Sequence, residues 1–339
     1  MKKILVIGAG LSGATIARQL ADGGYEVEIV DSRNHVAGNA FDEIHPEVDI
    51  RYHKYGPHLF HTNNMKVVEF LSRFTEWLPY EHRVKALTPD GDYVTFPPNR
   101  KVCERYTHDE LINIFFAPYT KKMWGMDMSK MDPSVIARVP IKPDSDEDRY
   151  FSDKFQAVPK GGYTAMVENM LDHENITVYL ESTVSPDFFN TNSAYDHVFN
   201  SAPIDAWFEF KHGTLPYRSI KFKHSVVNMP KALPATTVNF THDGPRTRIT
   251  EWKKLPGHEI TRTFSTLLTS EEPCDYLDNS CERYYPVKDV DGKNRKIYEE
   301  YVKEVPNYMT FIGRCGQYVY IDMHQAVNQG LQISEKFLK

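Results

Sequence analysis

The chain has 339 residues, of which 41% are hydrophobic, enough for a sizeable core and two or three subdomains. Its formal net charge of −6 argues against a nucleic-acid or anionic-membrane partner, although a local arginine cluster can still bind a small phosphate ligand. The four cysteines show no CxxC spacing, which indicates neither a zinc site nor a disulfide framework and fits a reducing cytoplasm. No stretch approaches the ~20 apolar residues of a membrane span, so we expect a soluble, cytoplasmic protein.

The first 31 residues carry the pattern of a dinucleotide-binding unit. A hydrophobic strand at residues 4–7 leads into the run Gly8-Ala9-Gly10-Leu11-Ser12-Gly13, and a helix then leads to a second strand that ends on Asp31. Gly8 permits the tight turn, Gly10 lets the backbone approach a pyrophosphate, and Gly13 lets the helix lie close to the strand. A plain strand-to-helix turn would explain the glycines alone. The acid that closes the second strand favours dinucleotide binding, because it is placed to hold a ribose hydroxyl.

The residues after Asp31 distinguish one dinucleotide from another. Arg33 comes two positions later, and the pair Gly38-Asn39 offers a second close approach of the backbone. In the glutathione-reductase-like FAD proteins an acid, a basic residue and a Gly-Asn or Gly-Gly pair recur in this arrangement. The resemblance therefore points to FAD rather than NAD. An ordinary surface loop is the alternative, since these residue types are common in turns.

A histidine-rich segment follows at residues 52–62. His58 and His61 are an odd number of residues apart, so on a strand they would face opposite sides, and no nearby cysteine or HExxH helix completes a metal site. We expect these histidines to be positioned near a ligand and expect no bound metal. Plain core or loop histidines are the alternative.

Local patterns predict an α/β unit followed by an antiparallel one. The strands at 176–180 and 197–200 are expected to rejoin the first domain, which would make it discontinuous. The other predicted elements are an amphipathic helix at 64–77, a hairpin at 83–96, a helix at 107–125, a short helix starting at Pro133, a helix from 161 to 171, antiparallel strands between 219 and 281, a buried strand at 308–314, and a last helix starting at Asp322.

Motifs spread over nearly the whole chain carry a stronger resemblance. They stand at residues 8–39, 55–62, 119–125, 138–140, 150–151, 201–205, 217–219, 247–248, 284–287 and 313–325. In this order they resemble the motifs of flavin-dependent nucleotide-sugar mutases, the UDP-galactopyranose mutase family. Several of these runs are uncommon outside that family.

The resemblance implies an α/β fold in three parts. The first is a Rossmann-like, glutathione-reductase-like FAD-binding domain from residues 1–77, 155–210 and 305–339. The others are a reduced helical subdomain at 98–140 and an antiparallel β-sheet substrate subdomain from 78–97, 141–154 and 211–304. Family members carry several more helices between the positions of Asn99 and Phe115, where they normally contribute to the substrate side and the dimer contact. The oligomeric state is therefore left open.

The implied activity is that of an isomerase that interconverts the pyranose and furanose forms of a nucleotide sugar. UDP-galactose is the default substrate, with UDP-GalNAc, UDP-arabinose and a dTDP-6-deoxysugar left open. Reduced FAD is the nucleophile in this family: its N5 attacks the anomeric carbon while the nucleoside diphosphate leaves and later returns. An external reductant must keep the flavin reduced. The alternative is an FAD-dependent oxidoreductase of the amine-oxidase-like class, which would need no diphosphate-binding arginines.

The resemblance also implies roles for particular residues. Arg138 and Arg248 match the two arginines that bind the departing diphosphate, where a guanidinium offers bidentate contacts; with His58, which matches a histidine that adjusts to the flavin redox state, they form the implied catalytic set. Tyr119 matches the tyrosine that stacks on uracil. The implied substrate-binding residues are Asn99, Tyr119, Trp124, Arg138, Tyr150, Asn239, Arg248, Tyr285, Arg314 and Tyr320. The implied cofactor-binding residues are Gly8, Gly10, Leu11, Ser12, Gly13, Asp31, Arg33, Gly38, Asn39, His58, His61, Gly313, Arg314, Asp322 and Met323.

Two side chains depart from the family pattern. Ala37 replaces the first glycine of the usual Gly-Gly-Asn, and Arg246 stands where a tyrosine usually precedes Thr-Arg, which adds a positive charge close to Arg248. The helix that begins at Asp322 is expected to direct its positive end at the flavin and to favour the anionic reduced form. Replacing Arg248 by Ala is expected to reduce turnover far more than it disturbs folding.

Overall fold

The computed structural model describes residues 2–131, 139–191 and 194–339. The predicted helix at Pro133 and the implied catalytic residue Arg138 lie outside these ranges. The strands are β1 (Lys3–Ile7), β2 (Glu26–Val30), β3 (Asp42–His45), β4 (Ile50–His53), β5 (Phe60–Thr62), β6 (Trp77–Pro79), β7 (Val84–Leu87), β8 (Tyr93–Phe96), β9 (Phe155–Pro159), β10 (Ile176–Tyr179), β11 (His197–Asn200), β12 (Tyr217–Val227), β13 (Thr237–Phe240), β14 (Arg248–Glu251), β15 (Thr266–Asp275), β16 (Tyr285–Pro286) and β17 (Met309–Phe311). The α-helices are α1 (Leu11–Asp22), α2 (Met65–Leu71), α3 (Arg100–Cys103), α4 (His108–Leu111), α5 (Ala117–Trp124), α6 (Gly162–Leu171), α7 (Phe188–Thr191), α8 (Ile204–Trp207), α9 (Lys293–Glu304), α10 (Gly313–Gly316) and α11 (Met323–Leu338).

A five-stranded parallel sheet holds the first half of the fold in the order β10-β2-β1-β11-β17. The central strand β1 is apolar on both faces at Ile4, Leu5 and Val6, as expected for a parallel sheet covered by helices. One face packs against α1, α6 and α11, and the other against α8 and α9. In such sheets ligands bind beyond the carboxyl ends of the strands. Gly8 to Gly13 follow the carboxyl end of β1, so the glycine turn lies at this edge.

A seven-stranded sheet forms the second half, in the order β16-β12-β15-β14-β13-β7-β8. Its neighbours are antiparallel except β13 and β7, which run parallel. The register places Arg248 on β14 opposite Asn239 on β13 and opposite Glu271 on β15. Two smaller sheets, β5-β9-β6 and β3-β4, complete the architecture. None of the described helices is long and apolar enough to cross a membrane.

The predicted helix at 64–77 is wrong in its second half. The helix ends at Leu71, and Trp77 begins β6, where it pairs with Pro159. Its indole N–H donates to the Ser72 hydroxyl at 3.0 Å, and its ring stacks on Phe60 with the centroids 4.9 Å apart. Pairing with a residue 82 positions later thus outweighs the local helical pattern.

Most of the other predicted elements are confirmed. The hairpin is β7 and β8, and the helix at 107–125 is α4 and α5 joined by a π-helical segment, Ile112–Phe116. The strands at 176–180 and 197–200 are β10 and β11, which join the first sheet as expected. The strand predicted at 308–314 is shorter, because Gly313 has a φ of 69° and opens α10.

We predict that Gly13→Ala destabilises the protein without its ligands by about 1–3 kcal/mol, the typical cost of overpacking a tight contact. A Cβ at residue 13 would lie 1.9 Å from the Gly8 carbonyl oxygen. Gly10→Ala is the matched control, because its Cβ would find no neighbour closer than 3.7 Å and the φ of Gly10 is −76°. Urea unfolding of both variants tests this. Equal stability losses would contradict the packing described here.

Candidate active site

Two adjoining cavities lie between the parallel and the antiparallel sheet. We call the first the glycine-turn cavity, because residues 10–13 form one of its walls. The second, about 630 Å³, we call the tyrosine cavity, after Tyr119, Tyr150, Tyr284, Tyr285 and Tyr320, which line it. His58, Arg314, Asp322 and Met323 line both cavities. A molecule that fills the first cavity would therefore contact a molecule in the second.

The glycine-turn cavity fits the diphosphate part of a dinucleotide. Gly10 is the N-cap of α1, and no side chain of the described residues caps that helix. The first N–H groups of α1 are thus available to an anion, and the helix dipole favours one there. Gly10 and Gly38 face each other so closely that a Cβ on Gly38 would lie 3.0 Å from Gly10 Cα. Of the residues expected to bind a cofactor, those lining this cavity are Gly10, Leu11, Ser12, Gly13, Asn39, His58, Gly313, Arg314, Asp322 and Met323.

Asp31 and Arg33 lie beside this cavity and hold its loops together. One Asp31 carboxylate oxygen accepts from the Ala9 amide at 2.8 Å and the other from the Arg33 amide at 2.9 Å. The Arg33 guanidinium donates to Asn39 Oδ1 at 2.9 Å, pairs with Glu282, and lies 4.5 Å from the Tyr55 ring centroid. A ribose contact by Asp31 stays a prediction. Its carboxylate already ties the glycine turn to the following loop.

His58 lies at the junction of the two cavities with a neutral ring. Its backbone N–H donates to His53 Nδ1 at 3.0 Å, and its own Nδ1 lies 2.9 Å from the Gly56 carbonyl oxygen. Burial lowers the pKa of His58 to about 4, against a smaller opposing contribution from that hydrogen bond. Because a carbonyl only accepts, Nδ1 carries the proton and Nε2 remains an acceptor at neutral pH.

Arg314 and Asp322 lie where the two cavities meet, since both residues line both cavities. The terminal nitrogens of Arg314 donate to the Tyr284 carbonyl at 3.1 Å and the Ile321 carbonyl at 2.7 Å. Asp322 is the N-cap of α11 and forms a capping box with Gln325. Its carboxylate offsets part of the positive end of α11, and the effect of that helix on a flavin stays a prediction.

Most of the expected substrate-binding residues meet in the tyrosine cavity. They are Tyr119, Trp124, Tyr150, Asn239, Arg248, Tyr285, Arg314 and Tyr320. Asn99 is not among the lining residues: it is buried at the N-cap of α3, with its amide nitrogen 3.5 Å from the Asp146 carbonyl oxygen. A contact of Asn99 with the nucleotide stays a prediction. The position of Arg138 is not described.

The aromatic wall of this cavity is a packed cluster. The Tyr285 and Tyr320 ring centroids are 4.9 Å apart, and Trp124 lies 5.9 Å from both. Burial raises the pKa of Tyr119 and of Tyr285 well above the usual tyrosine value. Both hydroxyls therefore stay protonated at neutral pH and can donate hydrogen bonds to an anionic ligand.

Arg248 reaches the cavity from an ion pair with a buried carboxylate; its own side chain is 23% exposed. Its Nε donates to Glu271 Oε1 at 2.7 Å, and Glu271 is 0% exposed. Burial raises the pKa of Glu271, and Arg248 opposes that rise by stabilising the carboxylate. Glu271 engages only Nε, and among the described residues no hydrogen bond is made by the two terminal nitrogens of Arg248. Those nitrogens form the fork that binds oxyanions bidentately.

The two departures noted in the sequence have little effect on the cavities. Ala37 adopts a φ of 69°, a left-handed conformation that favours glycine, so its methyl group is accommodated at some cost in strain. Arg246 does not line the tyrosine cavity; its guanidinium lies 5.5 Å from the Phe240 ring centroid. The positive charge of Arg246 is thus not added to the wall of the tyrosine cavity where Arg248 lies.

The structure adds residues that the sequence reasoning missed. His82, Phe151, Asp153, Tyr284 and His324 also line the tyrosine cavity. Asp153 Oδ2 lies 2.8 Å from His61 Nδ1, and the His61 ring stacks on Phe151 at 3.6 Å. Phe151, Tyr284 and His324 lie within matched motifs, whereas no motif marks His82 or Asp153. One ligand atom each of His61, Asp322 and His324 lie within 4.8 Å of one another, a spacing that a metal ion could use. The absence of metal stays a prediction.

Comparison with known proteins identifies the family. The sequence profile described as UDP-galactopyranose mutase matches residues 114–320. The chain is 34% identical to a probable UDP-galactopyranose mutase of Klebsiella pneumoniae, over 99% of this chain and 95% of the relative. The chain belongs to the UDP-galactopyranose mutase family. It is also 32% identical to a dTDP-fucopyranose mutase of Escherichia coli, over 100% of this chain and 99% of the relative.

Family membership confirms the sequence-based assignment as a nucleotide-sugar mutase, an isomerase. A profile for a Rossmann-like NAD(P)-binding domain matches residues 6–74, which confirms the dinucleotide-binding fold. The alignment with the Klebsiella relative runs over 374 residues and this chain has 339, so at least 35 alignment positions have no counterpart here. The reduced helical subdomain at 98–140 stays a prediction, since the alignment length does not locate these positions.

Solved structures agree on the fold. A crystal structure of reduced UDP-galactopyranose mutase superposes with a TM-score of 0.75 at 16% identity and covers 100% of this chain and 94% of that one. A redesigned putrescine oxidase gives 0.65 at 13% identity, over 99% of each chain. At these identities the likeness concerns the fold alone. The oxidoreductase alternative shares that fold but is less supported, since the sequence relatives above are mutases.

We predict that Arg248→Ala lowers the free energy of unfolding by about 3–5 kcal/mol, because it leaves the buried Glu271 carboxylate without its cation. This revises the expectation that the substitution spares folding. Arg248→Ala combined with Glu271→Gln should recover most of the lost stability but no activity. Arg83→Ala is the control: this arginine bonds two carboxylates at 3.0 Å, but its side chain is 47% exposed, and its loss should cost about 1 kcal/mol or less. Chemical denaturation with equal losses in both single variants would contradict the account.

Proposed function

We propose that this chain is an FAD-dependent mutase that interconverts the pyranose and furanose forms of a UDP- or dTDP-linked sugar. The observation that carries the proposal is the junction of the two cavities. A site shaped for a dinucleotide diphosphate opens into an aromatic cavity whose wall holds Arg248. The two share His58 and Arg314, so a flavin in one cavity and a sugar in the other would meet at these residues.

The glycine turn and its surroundings are proposed to hold FAD. The first N–H groups of α1 would bind the pyrophosphate, and the backbone at Gly10 and Gly38 would allow its close approach. Asp31 would accept from a ribose hydroxyl, and the flavin ring would lie towards His58 and Met323. When bound and reduced by an external reductant, FAD supplies a nucleophilic N5 for the anomeric carbon.

The nucleotide sugar is proposed to bind with its diphosphate between Arg248 and the tyrosines. The terminal nitrogens of Arg248 would make bidentate contacts, and the protonated hydroxyl of Tyr285 would donate a further hydrogen bond. Tyr150 and Tyr320 are assigned the same role, and Arg138 that of a second arginine. These fixed donors stabilise the negative charge that develops as the diphosphate departs, a contribution of the kind worth ~10²–10³ in rate.

Four further side chains are proposed to position the base, the sugar and the flavin. Tyr119 would stack on the base, and Asn239 would contact the nucleotide beside Arg248, its partner across the strands. Trp124, which is 8% exposed, would line the sugar pocket. The neutral ring of His58 adds no charge beside the flavin, and its Nε2 can accept from a sugar hydroxyl.

We predict furanose products when the dithionite-reduced, FAD-loaded protein is incubated with a panel of pyranose substrates. The panel is UDP-galactose, UDP-GalNAc, UDP-arabinose and dTDP-fucose, which spans the two nucleotides in the relatives' names. Chromatography or NMR should detect the ring-contracted isomer for at least one substrate, with no reductant consumed per turnover. Arg248→Lys should retain folding but turn over far more slowly, since an ammonium cannot replace the bidentate fork. Stoichiometric oxidation of a substrate without isomerisation would contradict the proposal.

A further inference from the structure

A short segment of the antiparallel half reaches across to the glycine-turn cavity. We call residues 279–283 the strap; it precedes β16. Asn279 fixes one end to β12, since its amide nitrogen donates to Ser219 Oγ at 2.9 Å and to the Ile220 carbonyl at 3.2 Å. At the other end, Glu282 pairs with Arg33 in the loop after β2. The strap is therefore anchored in both halves of the fold.

Arg283, the last residue of the strap, lines the same cavity as the glycine turn. Its side chain is only 13% exposed. The guanidinium lies 4.9 Å from the Tyr276 ring centroid and 5.5 Å from that of Tyr217, so two aromatic rings fix its position. A long side chain held in this way loses little further conformational freedom when it binds a ligand.

The Arg283 guanidinium is poorly satisfied for a buried cation. Its Nε is buried without a hydrogen-bond partner among the described residues. The carboxylate paired with it, Asp205, is 3.9 Å away, beyond hydrogen-bond distance, and already accepts from the Leu215 amide at 3.0 Å. Arg314, the other arginine found among the described lining residues of this cavity, donates from both terminal nitrogens to carbonyl oxygens. Of these two arginines, Arg283 is therefore the one whose guanidinium has N–H donors that no described residue uses.

We infer that Arg283 binds the cofactor pyrophosphate, facing the glycine turn from the strap. The glycine turn offers N–H groups and a helix dipole but no charged side chain, whereas a pyrophosphate brings two negative charges into the cavity. A guanidinium held between aromatic rings supplies the missing charge and bidentate donors. The inference rests on the proposed function in that it takes the dinucleotide to be FAD. It makes Arg283 a cofactor-binding residue outside the glycine fingerprint.

The test is FAD affinity as a function of salt, measured by quenching of flavin fluorescence on titrating the apoprotein. Arg283→Gln removes the charge and leaves a shorter, neutral side chain that can still donate a hydrogen bond. We expect its dissociation constant for FAD to be about 10- to 100-fold higher than that of the unmodified protein at low salt, the range for one charge-assisted hydrogen bond. The ratio should shrink at about 0.5 M salt, because screening weakens the contact in the unmodified protein.

Two control variants separate this role from a structural one. Arg295→Gln makes the same charge change on the exposed face of α9, where Arg295 pairs with Glu299, and should bind FAD like the unmodified protein. Arg283→Gln with Asp205→Asn removes both buried charges and should still bind weakly. Recovery of full affinity in that double variant, or unchanged affinity in Arg283→Gln, would overturn the inference while leaving the proposed function intact. An unmodified protein that fails to bind FAD would overturn both.

Discussion

The buried carboxylate of Glu271 holds Arg248 at the wall of the tyrosine cavity. Glu271 is completely buried, and one of its oxygens has no hydrogen-bond partner among the described residues. Such a pair is costly to bury and contributes little net stability, so its value lies in fixing one geometry. The cross-strand register of β14 and β15 sets that geometry, because it places the two residues directly opposite each other. The position of the cation therefore depends on the assembly of the large sheet.

The two halves of the fold supply different chemistry to one site. The parallel sheet ends in the glycine turn, which offers backbone donors and a helix terminus. The antiparallel sheet and the helices beside it offer Arg248, Trp124 and the tyrosines, which are side-chain cations, donors and aromatic faces. Arg314 joins the halves, since its guanidinium bonds carbonyls of two separate segments while lining both cavities. Misalignment of the halves would separate the proposed cofactor from its substrate.

The parts of the fold that local sequence signals control could be predicted. The glycine turn, the hairpin at β7 and β8 and the capped start of α11 each depend on residues within one short run. The end of α2 could not, because it is decided by the pairing of Trp77 with Pro159. A local helical pattern contains no information about that distant strand.

The residues of the candidate site likewise fall into those that a local motif marks and those that only the folded structure brings to the cavities. Residues within matched motifs, such as Tyr119, Trp124 and Tyr285, do line the cavity. His82, Asp153 and Arg283 come from separate segments that only the folded sheets and loops bring to the cavities, and no motif marks them. Asn99 has a residue type that matches the family but is not among the residues that line the cavity, so its contact with a nucleotide stays a prediction. The spatial relation of Arg138 to Arg248 depends on residues that the structure does not describe.

The most direct test of the account is mutase activity after the cofactor is replaced by 5-deaza-FAD. This analogue lacks the N5 lone pair that a nucleophilic flavin needs, but it still accepts and donates hydride. The account predicts that the reconstituted, reduced protein binds the analogue and forms no furanose product, while the same protein with FAD does. Full mutase activity with the deaza cofactor would contradict the account and favour the FAD-dependent oxidoreductase alternative.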